Sequence, residues 1–178
     1  MTPHAPLVGR IAKWQQKGLR MNLWERDIFP RHDELERLTA PTRLRIAIEA
    51  IDWTLQTSKT LIQNQRAVQW IDEVMTEARA AVAEQSGHVD LSEELVDQFD
   101  DVDRGADETG VSQLLMGIAN CWEFDTFTSE ALEGTLFSCY LFSQLREVPE
   151  AESFEEEDAN PRCHELIAHQ ERLIENAA

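Results

Sequence analysis

The sequence contains little of what most catalytic proteins need. Its 178 residues include only three cysteines, which lie far apart, so no C-x-x-C pair for zinc or redox chemistry is present. The seven glycines are scattered, which excludes the clustered glycines of a phosphate-binding loop. A G-x-S-x-G nucleophile turn and an S-x-x-K pair are both missing. We therefore expect no cofactor, no metal and no recognisable catalytic residue.

Signals for export and for membrane insertion are also missing. The first 16 residues have no apolar stretch followed by a small-residue cleavage site. The longest uncharged stretch, residues 109–122, is shorter than the roughly 18 residues that a membrane span needs. Cys121, Cys139 and Cys163 are expected to be reduced thiols. These features predict a cytoplasmic protein that does not contact a membrane.

Acidic residues, by contrast, are abundant. Asp and Glu number 34 against 16 Lys and Arg, so the formal net charge is −18. Two segments concentrate the acid: residues 84–108 have ten acidic residues and one basic, and residues 147–158 have seven acidic and none basic. Such surfaces repel DNA, RNA and anionic membranes and attract basic proteins. We expect both segments to be acidic linkers between helices, where a basic protein partner binds.

Apolar residues recur at helical spacing through the remaining chain, and strand signals are nearly absent. Four stripes predict helices, at residues 44–55, 68–82, 111–122 and 132–145. The first helix is expected to begin near Thr42, and the second to end before Gly87. Together these patterns predict a single all-α domain over residues 1–178, a bundle or array of six to eight helices.

Two further helix starts are marked by polar residues. Asp90 and Glu93 have the spacing of a capping box, which predicts a short acidic helix in the first acidic segment. Asn160 can accept a free amide hydrogen, and Pro161 fits the first helical position, where its missing N–H costs nothing. The last helix should therefore begin at Pro161.

Two patterns come close to metal sites. His164 and His169 almost complete an H-E-x-x-H motif, but histidines five residues apart diverge by about 140° around a helix, so we expect surface histidines. A calcium loop that begins at Asp101 would have Ser112 where the bidentate glutamate belongs, so it fails as an EF-hand. A looser divalent-ion site in that acidic run stays an alternative.

The candidate partner-binding residues are acidic side chains of the two segments together with Trp70. Trp70 lies off the apolar stripe of its helix, and tryptophan is enriched at protein interfaces. Packing of the tryptophans in the core is the alternative interpretation. The candidate acidic residues are Asp97, Asp100, Asp101, Asp103, Asp107, Glu108, Glu155, Glu156 and Glu157.

Several short motifs occur in a recognisable order from about residue 14 onward. They are Leu23-Trp24-Glu25-Arg26, Phe29-Pro30, Arg45, Ala50-Ile51-Asp52-Trp53-Thr54-Leu55, Asp100-Asp101-Val102-Asp103, and Asn160-Pro161 with Gln170. This order resembles the YjaG-like family of bacterial proteins, a domain family of unknown function. Family members carry a Cys where this chain has Trp24, and a Tyr-rich stretch where it has Arg104-Gly105-Ala106. The resemblance implies an all-helical bacterial cytoplasmic fold and supplies no reaction.

The charge pattern favours a non-catalytic binding protein. Small size and concentrated acid are typical of an immunity or antitoxin-type inhibitor of a basic toxin or nuclease, because acid steers and then pairs with a cationic partner. An acidic DNA mimic is a special case of this hypothesis. Salt adaptation or solubility would also explain the acid, and association with a second copy of the chain stays open.

The competing hypothesis is an enzyme or metal-binding helical protein that uses clustered carboxylates. The candidates are Glu49, Asp52, Asp100, Asp101 and Asp103. If Asp52 faces inward beside Trp53, burial would raise its pKa and make it a general acid or base. No His, Lys or Ser stands at a spacing that would assign it a partner, so the enzyme is the less favoured hypothesis.

Overall fold

The computed structural model describes residues 22–123 and 125–177, and the predictions for residues 1–21 lie outside this part of the chain. The described residues are helical and contain no strand, which confirms the all-α prediction. Within these two ranges nine α-helices follow one another, with a 3-10 turn at Phe29–Arg31 between the first two. They are α1 Leu23–Asp27, α2 His32–Arg37, α3 Ala40–Thr57, α4 Gln65–Ala83, α5 Glu93–Gly105, α6 Val111–Ala119, α7 Ser129–Glu147, α8 Phe154–Asp158 and α9 Pro161–Glu175. Six of these have nine or more residues, within the predicted number.

Helix α7 lies at the centre of the fold, because α2, α3, α6 and α9 all pack against it. Small residues allow the closest of these contacts. A Cβ added at Gly117 of α6 would lie 2.6 Å from the Cβ of Ser138, so only glycine fits there. The hydroxyl of Thr135 lies 2.9 Å from the carbonyl oxygen of Gly117 and satisfies a polar group that the close packing buries.

The predicted apolar stripes face the core. Leu44 and Ile51 of α3 are fully buried, and Ile71 and Met75 of α4 are 2% and 1% exposed. Full burial of one such side chain contributes about 1.5–3 kcal/mol, which makes these stripes the main stabilising feature of the fold. The opposite faces are polar, and no helix in residues 22–123 or 125–177 is long and apolar enough to cross a membrane.

Helix α3 begins two residues earlier than predicted, and α9 begins where predicted. The hydroxyl of Thr39 accepts a hydrogen bond from the amide of Thr42 at 3.4 Å, so the helix starts at Ala40. Thr39 lies outside the apolar stripe, so the stripe alone did not identify it as the cap of this helix. The side chain of Asn160 accepts from the amide of Arg162 at 2.9 Å, which confirms the start at Pro161.

The two acidic segments are partly helical, so their description as linkers was wrong, although the short acidic helix predicted within residues 84–108 is present as α5. Helix α5 occupies most of residues 84–108, and α8 occupies the end of residues 147–158. The cap of α5 is Ser92 rather than Asp90, since the Ser92 hydroxyl accepts from the amide of Leu95 at 3.3 Å. Acidic residues in the first turn of a helix interact favourably with its dipole, and buried Leu95 and Val102 anchor the helix to the core.

Helix α4 ends at Ala83, before Gly87 as predicted. The residue in the left-handed conformation is Gln85, with φ of 57°, and not Gly87. Gly87 has a different role, because a Cβ there would lie 3.1 Å from the Cβ of Ala40. The glycine thus permits the loop after α4 to pass close to the start of α3.

Candidate partner-binding surface

Helix α5 presents an acidic face to solvent. Leu95 and Val102 turn toward the core, and the acidic residues three and four positions apart share the opposite side. Val96 lies at the edge of this side and is 40% exposed. We call this surface the acidic face, and it consists of Glu93, Glu94, Asp97, Asp100 and Asp101, all exposed.

An aromatic cluster packs against the side of α5 that faces the core. The ring of Trp70 lies 5.5 Å from those of Phe99 and Trp122, and the latter two are 5.7 Å apart. Trp70 is 2% exposed, and its indole N–H donates to the carbonyl oxygen of Leu95 at 3.0 Å. The prediction of Trp70 as an interface anchor was therefore wrong. Helix α4 packs against both α3 and α5, so its buried face is wider than the apolar stripe.

A pocket adjoins the acidic face. Two loops form it, and backbone hydrogen bonds join them: the amide of Val89 donates to the carbonyl of Cys121 at 3.2 Å, and that of Phe127 donates to the carbonyl of Gly87 at 2.8 Å. The pocket has a volume of about 350 Å³. Its lining residues are His88, Val89, Asp90, Leu91, Val96, Trp122, Glu123 and Asp125.

The pocket combines acidic and apolar groups. Three carboxylates line it, against one histidine whose Nε2 lies 3.1 Å from Oδ1 of Asp90. The Asp90 side chain is 93% exposed and stands at the rim. Val96 belongs both to the pocket and to the acidic side of α5, so the two features form one continuous surface.

The end of the first acidic segment is bound within the molecule. Asp103 accepts a hydrogen bond from the hydroxyl of Ser112 at 2.6 Å. Glu108 accepts hydrogen bonds from the backbone amides of Gln63 and Asn64 at 2.9 and 2.6 Å. Desolvation opposes ionisation of Glu108, but these amides and Arg146 outweigh it and lower the pKa of the carboxyl. Asp103 and Glu108 are thus occupied in the fold, whereas Asp107 is exposed.

The second acidic segment is also partly internal. Glu157 is 8% exposed, so its prediction as a partner-binding residue was wrong. Its Oε2 accepts from the hydroxyl of Tyr140 at 2.6 Å and from the amide of Leu23 at 3.1 Å. Burial and then the neighbouring carboxylate raise the pKa of Tyr140, so the hydroxyl keeps its proton. Glu155 and Glu156 are exposed, and their partner-binding role stays a prediction.

Two of the motifs that carry the family resemblance, at residues 23–26 and 160–170, lie together where the two ends of the described chain meet. The indole N–H of Trp24 donates to the side chain of Gln170 at 2.9 Å, whose amide donates in turn to the carbonyl of Leu136 at 2.8 Å. Glu25 forms a reciprocal capping box with Asn22 at the start of α1. These residues hold α1 against α7 and α9.

Arg26 adds an exposed contact to the same junction. Its guanidinium lies 3.0 Å from Asp158 and 2.6 Å from Asp27, and it stands 5.3 Å from the ring centre of Phe154. Arg26 therefore connects α1 to α8. The motif residues at this junction thus connect α1 to α8 and α9.

The candidate catalytic carboxylates do not form one site. Asp52 lies 2.6 Å from Arg79, and Asp101 lies 2.7 Å from Arg104 and 3.7 Å from Arg66. Arg66 and Arg79 are 13 residues apart on α4, which corresponds to about 20 Å along the helix. Asp52 is thus paired at the opposite end of α4 from Asp101 and does not face inward beside Trp53.

Trp53 is the centre of a stacked cluster that the sequence did not reveal. The ring of His169 stacks on it at 4.1 Å and 9°, and the guanidinium of Arg162 lies 5.2 Å from the ring centre. Desolvation and then Arg172 lower the pKa of His169 to about 4. His169 is half-buried, so its prediction as a surface histidine was wrong, whereas His164 is exposed.

A histidine–carboxylate pair joins α2 to α7 and was also missed. Nδ1 of His32 lies 2.6 Å from Oε1 of Glu133, and its Nε2 lies 3.3 Å from Glu36. The hydrogen bond to Glu133 raises the pKa of His32, while desolvation raises that of Glu133. The pair is a contact between distant helices, so no local pattern marks it.

Metal-ligand geometry and reactive thiols were also sought. No group of three or more His, Cys, Asp or Glu residues in the described ranges is arranged to hold a metal ion. Cys121, Cys139 and Cys163 are buried and unbridged. Burial raises the pKa of Cys139 to about 12, so this thiol is protonated and unreactive at neutral pH.

Comparisons with family models, with curated proteins and with solved structures gave no significant match to the chain. The resemblance to the YjaG-like family therefore stays a prediction.

Proposed function

We propose that the chain is a non-catalytic bacterial protein that binds a basic protein partner on the acidic face. Its action is to cover that partner, as an immunity or antitoxin-type inhibitor of a basic toxin or nuclease does, in the bacterial cytoplasm. The observation that carries the proposal is the exposure of the five acidic side chains of α5 around Val96, beside an open pocket.

Part of the charge on α5 is costly to the isolated protein, although Arg104 and Arg66 lie 2.7 and 3.7 Å from Asp101 and offset the repulsion there. Like charges three or four positions apart on a helix destabilise it by about 0.2–0.5 kcal/mol per pair. Glu93, Asp97 and Asp101 follow one another at spacings of four. A cationic partner would remove this repulsion and would be steered to the surface before contact. Exposed Val96 would supply apolar contact where the acidic face meets the pocket.

The experiment compares capture by three immobilised proteins. They are the wild-type chain, a face variant (Glu93→Gln, Asp97→Asn, Asp100→Asn), and a control variant that removes three exposed acids of α4 (Asp72→Asn, Glu73→Gln, Glu77→Gln). Bacterial extract is applied at roughly 0.05 M and roughly 1 M salt, where the Debye length falls to about 3 Å. The dissociation constant of any partner is then measured with purified protein.

A stoichiometric basic protein that is retained at low salt by the wild type and the control, and lost from the face variant and at high salt, supports the proposal. Equal retention by the face variant contradicts it, because binding would then not use α5. The absence of any stoichiometric partner at both salt concentrations also contradicts it.

A further inference from the structure

We propose that the pocket beside the acidic face is a receptor for an arginine side chain of the basic partner. Five of its eight lining residues matter most for this inference: Asp90, Val96, Trp122, Glu123 and Asp125. The inference rests on the proposed function and adds the chemical group that the surface recognises.

Backbone hydrogen bonds join the two loops of the pocket in the absence of a ligand. The two backbone hydrogen bonds between its loops fix their separation, and the Ser86 hydroxyl donates to the carbonyl of His88 at 2.7 Å. Trp122 makes edge contacts with Trp70 and Phe99, so its ring is positioned by the core. A preformed site loses less conformational entropy on binding.

The lining matches a guanidinium group in charge and in shape. The carboxylates Asp90, Glu123 and Asp125 can accept hydrogen bonds from its N–H groups, and two parallel bonds to one carboxylate are a geometry that arginine favours. Trp122 offers an aromatic ring for cation–π contact. Leu91 and Val96 can contact the methylene groups of the side chain, which arginine buries readily.

Size and position support the same ligand. A volume of about 350 Å³ is near the lower end of the roughly 300–1,000 Å³ of ligand pockets and suits one side chain rather than a folded element. The acidic face begins at the pocket edge, at Val96. A partner segment whose arginine enters the pocket would place its next basic residues along α5.

The test measures the binding of hexa-arginine and hexa-lysine peptides at equal ionic strength, by isothermal titration calorimetry. Both peptides carry six side-chain charges, so their affinity ratio reports recognition of the guanidinium and not charge. The wild-type chain should bind hexa-arginine about threefold to tenfold more tightly, the factor expected from one cation–π contact with added hydrogen bonds.

Two variants assign this preference to the pocket. Glu123→Gln with Asp125→Asn removes two exposed pocket charges, and Asp72→Asn with Glu73→Gln removes two exposed charges of α4 as the matched control. We expect the ratio to fall to about one in the pocket variant and to stay unchanged in the control. Circular dichroism verifies that both variants keep the helical fold, and Trp122→Leu provides a second pocket variant.

The outcomes separate this inference from the proposed function. Equal affinities for both peptides in the wild type, or a ratio that survives in the pocket variant, overturn the arginine receptor even if a basic partner still depends on α5. A pocket-dependent ratio without any partner that depends on α5 supports the receptor and overturns the proposed function. Protein self-association that blocks hexa-arginine binding, detected by ultracentrifugation, would assign the pocket to a second copy and contradict the inference.

Discussion

The two acidic segments differ in where their carboxylates find partners. In residues 147–158, the side chain of Glu147 is 2% exposed and lies 2.5 Å from Arg162. Glu157 accepts hydrogen bonds from the Tyr140 hydroxyl and the Leu23 amide inside the fold. In residues 84–108, the acids at the start of α5 point into solvent. Internal carboxylates thus stabilise contacts in both segments, whereas the acids at the start of α5 stand together as one exposed surface.

The largest loss of stability is expected from a substitution at Arg162, which pairs with Glu147 of the second acidic segment. The substitution Arg162→Met removes the cation from Glu147, whose buried carboxylate would keep the amide of Lys59 at 2.8 Å as its remaining hydrogen-bond donor. We expect the free energy of unfolding to fall by about 3–5 kcal/mol, as for other buried pairs that lose one partner. Denaturant unfolding measures it.

The matched control is Arg45→Met, which breaks the exposed pair with Glu49 at 3.0 Å. It should cost less than about 0.5 kcal/mol. Similar losses in the two variants would show that the Arg162 pair is no more important than a surface pair.

A smaller effect is expected at Glu157. The substitution Glu157→Ala leaves the Tyr140 hydroxyl and the Leu23 amide without their acceptor, which should lower the free energy of unfolding by about 2–3 kcal/mol. The exposed neighbour Glu155 is the control, and Glu155→Ala should change it by less than about 0.5 kcal/mol. If both variants were equally stable, Glu157 would be an ordinary surface acid.

The pH dependence of stability tests the packed cluster around Trp53. The pKa of His169 is lowered to about 4 in the folded protein from its ordinary value of 6.5, so unfolded chains bind more protons between these values. The contribution of His169 is fully present above pH 6.5 and is lost as the pH falls toward 4. Its size is on the order of 1 kcal/mol after solvent screening of this half-buried ring is considered.

The variant His169→Phe keeps an aromatic ring on Trp53 and removes the titration. Unfolding experiments at several pH values should show a difference between wild type and variant that changes across this window. A difference that is constant from pH 4 to pH 7 would contradict the burial of His169.

The smallest effect is expected on α5. Asp97 stands four positions from Glu93 and from Asp101, so Asp97→Asn removes like-charge repulsion. We expect the stability to change by less than about 0.5 kcal/mol, toward greater stability at low salt and no change at about 1 M salt. A loss above about 1 kcal/mol would mean that Asp97 has an internal role like that of Glu157.

Local patterns predicted the helices because helix signals lie within a few residues of one another. The apolar spacing of residues 44–55 and the pair Asn160-Pro161 each depend on neighbours along the chain. Burial of Trp70 was not predictable in this way. Its buried position results from α4 packing between two helices, and a stripe of one helix does not report how many neighbours it has.

The roles of the acidic residues depend on contacts between distant parts of the sequence. Glu157 meets Leu23 across 134 positions, and Arg26 meets Asp158 across 132. The pocket is equally non-local, because backbone hydrogen bonds between two loops form it and leave no side-chain signature. The sequence therefore showed which segments are acidic. It could not show which of their carboxylates are bonded inside the fold and which are exposed to solvent.

The most direct test of the central claim is the dissociation constant of the captured basic partner for two variants. One is the face variant of α5, and the other removes three exposed acids of the second segment (Glu150→Gln, Glu152→Gln, Glu155→Gln). Both lose three charges, so general electrostatic attraction falls equally. We predict binding at least tenfold weaker for the face variant than for the second-segment variant. Equal weakening, or a greater loss in the second-segment variant, would contradict the assignment of partner binding to α5.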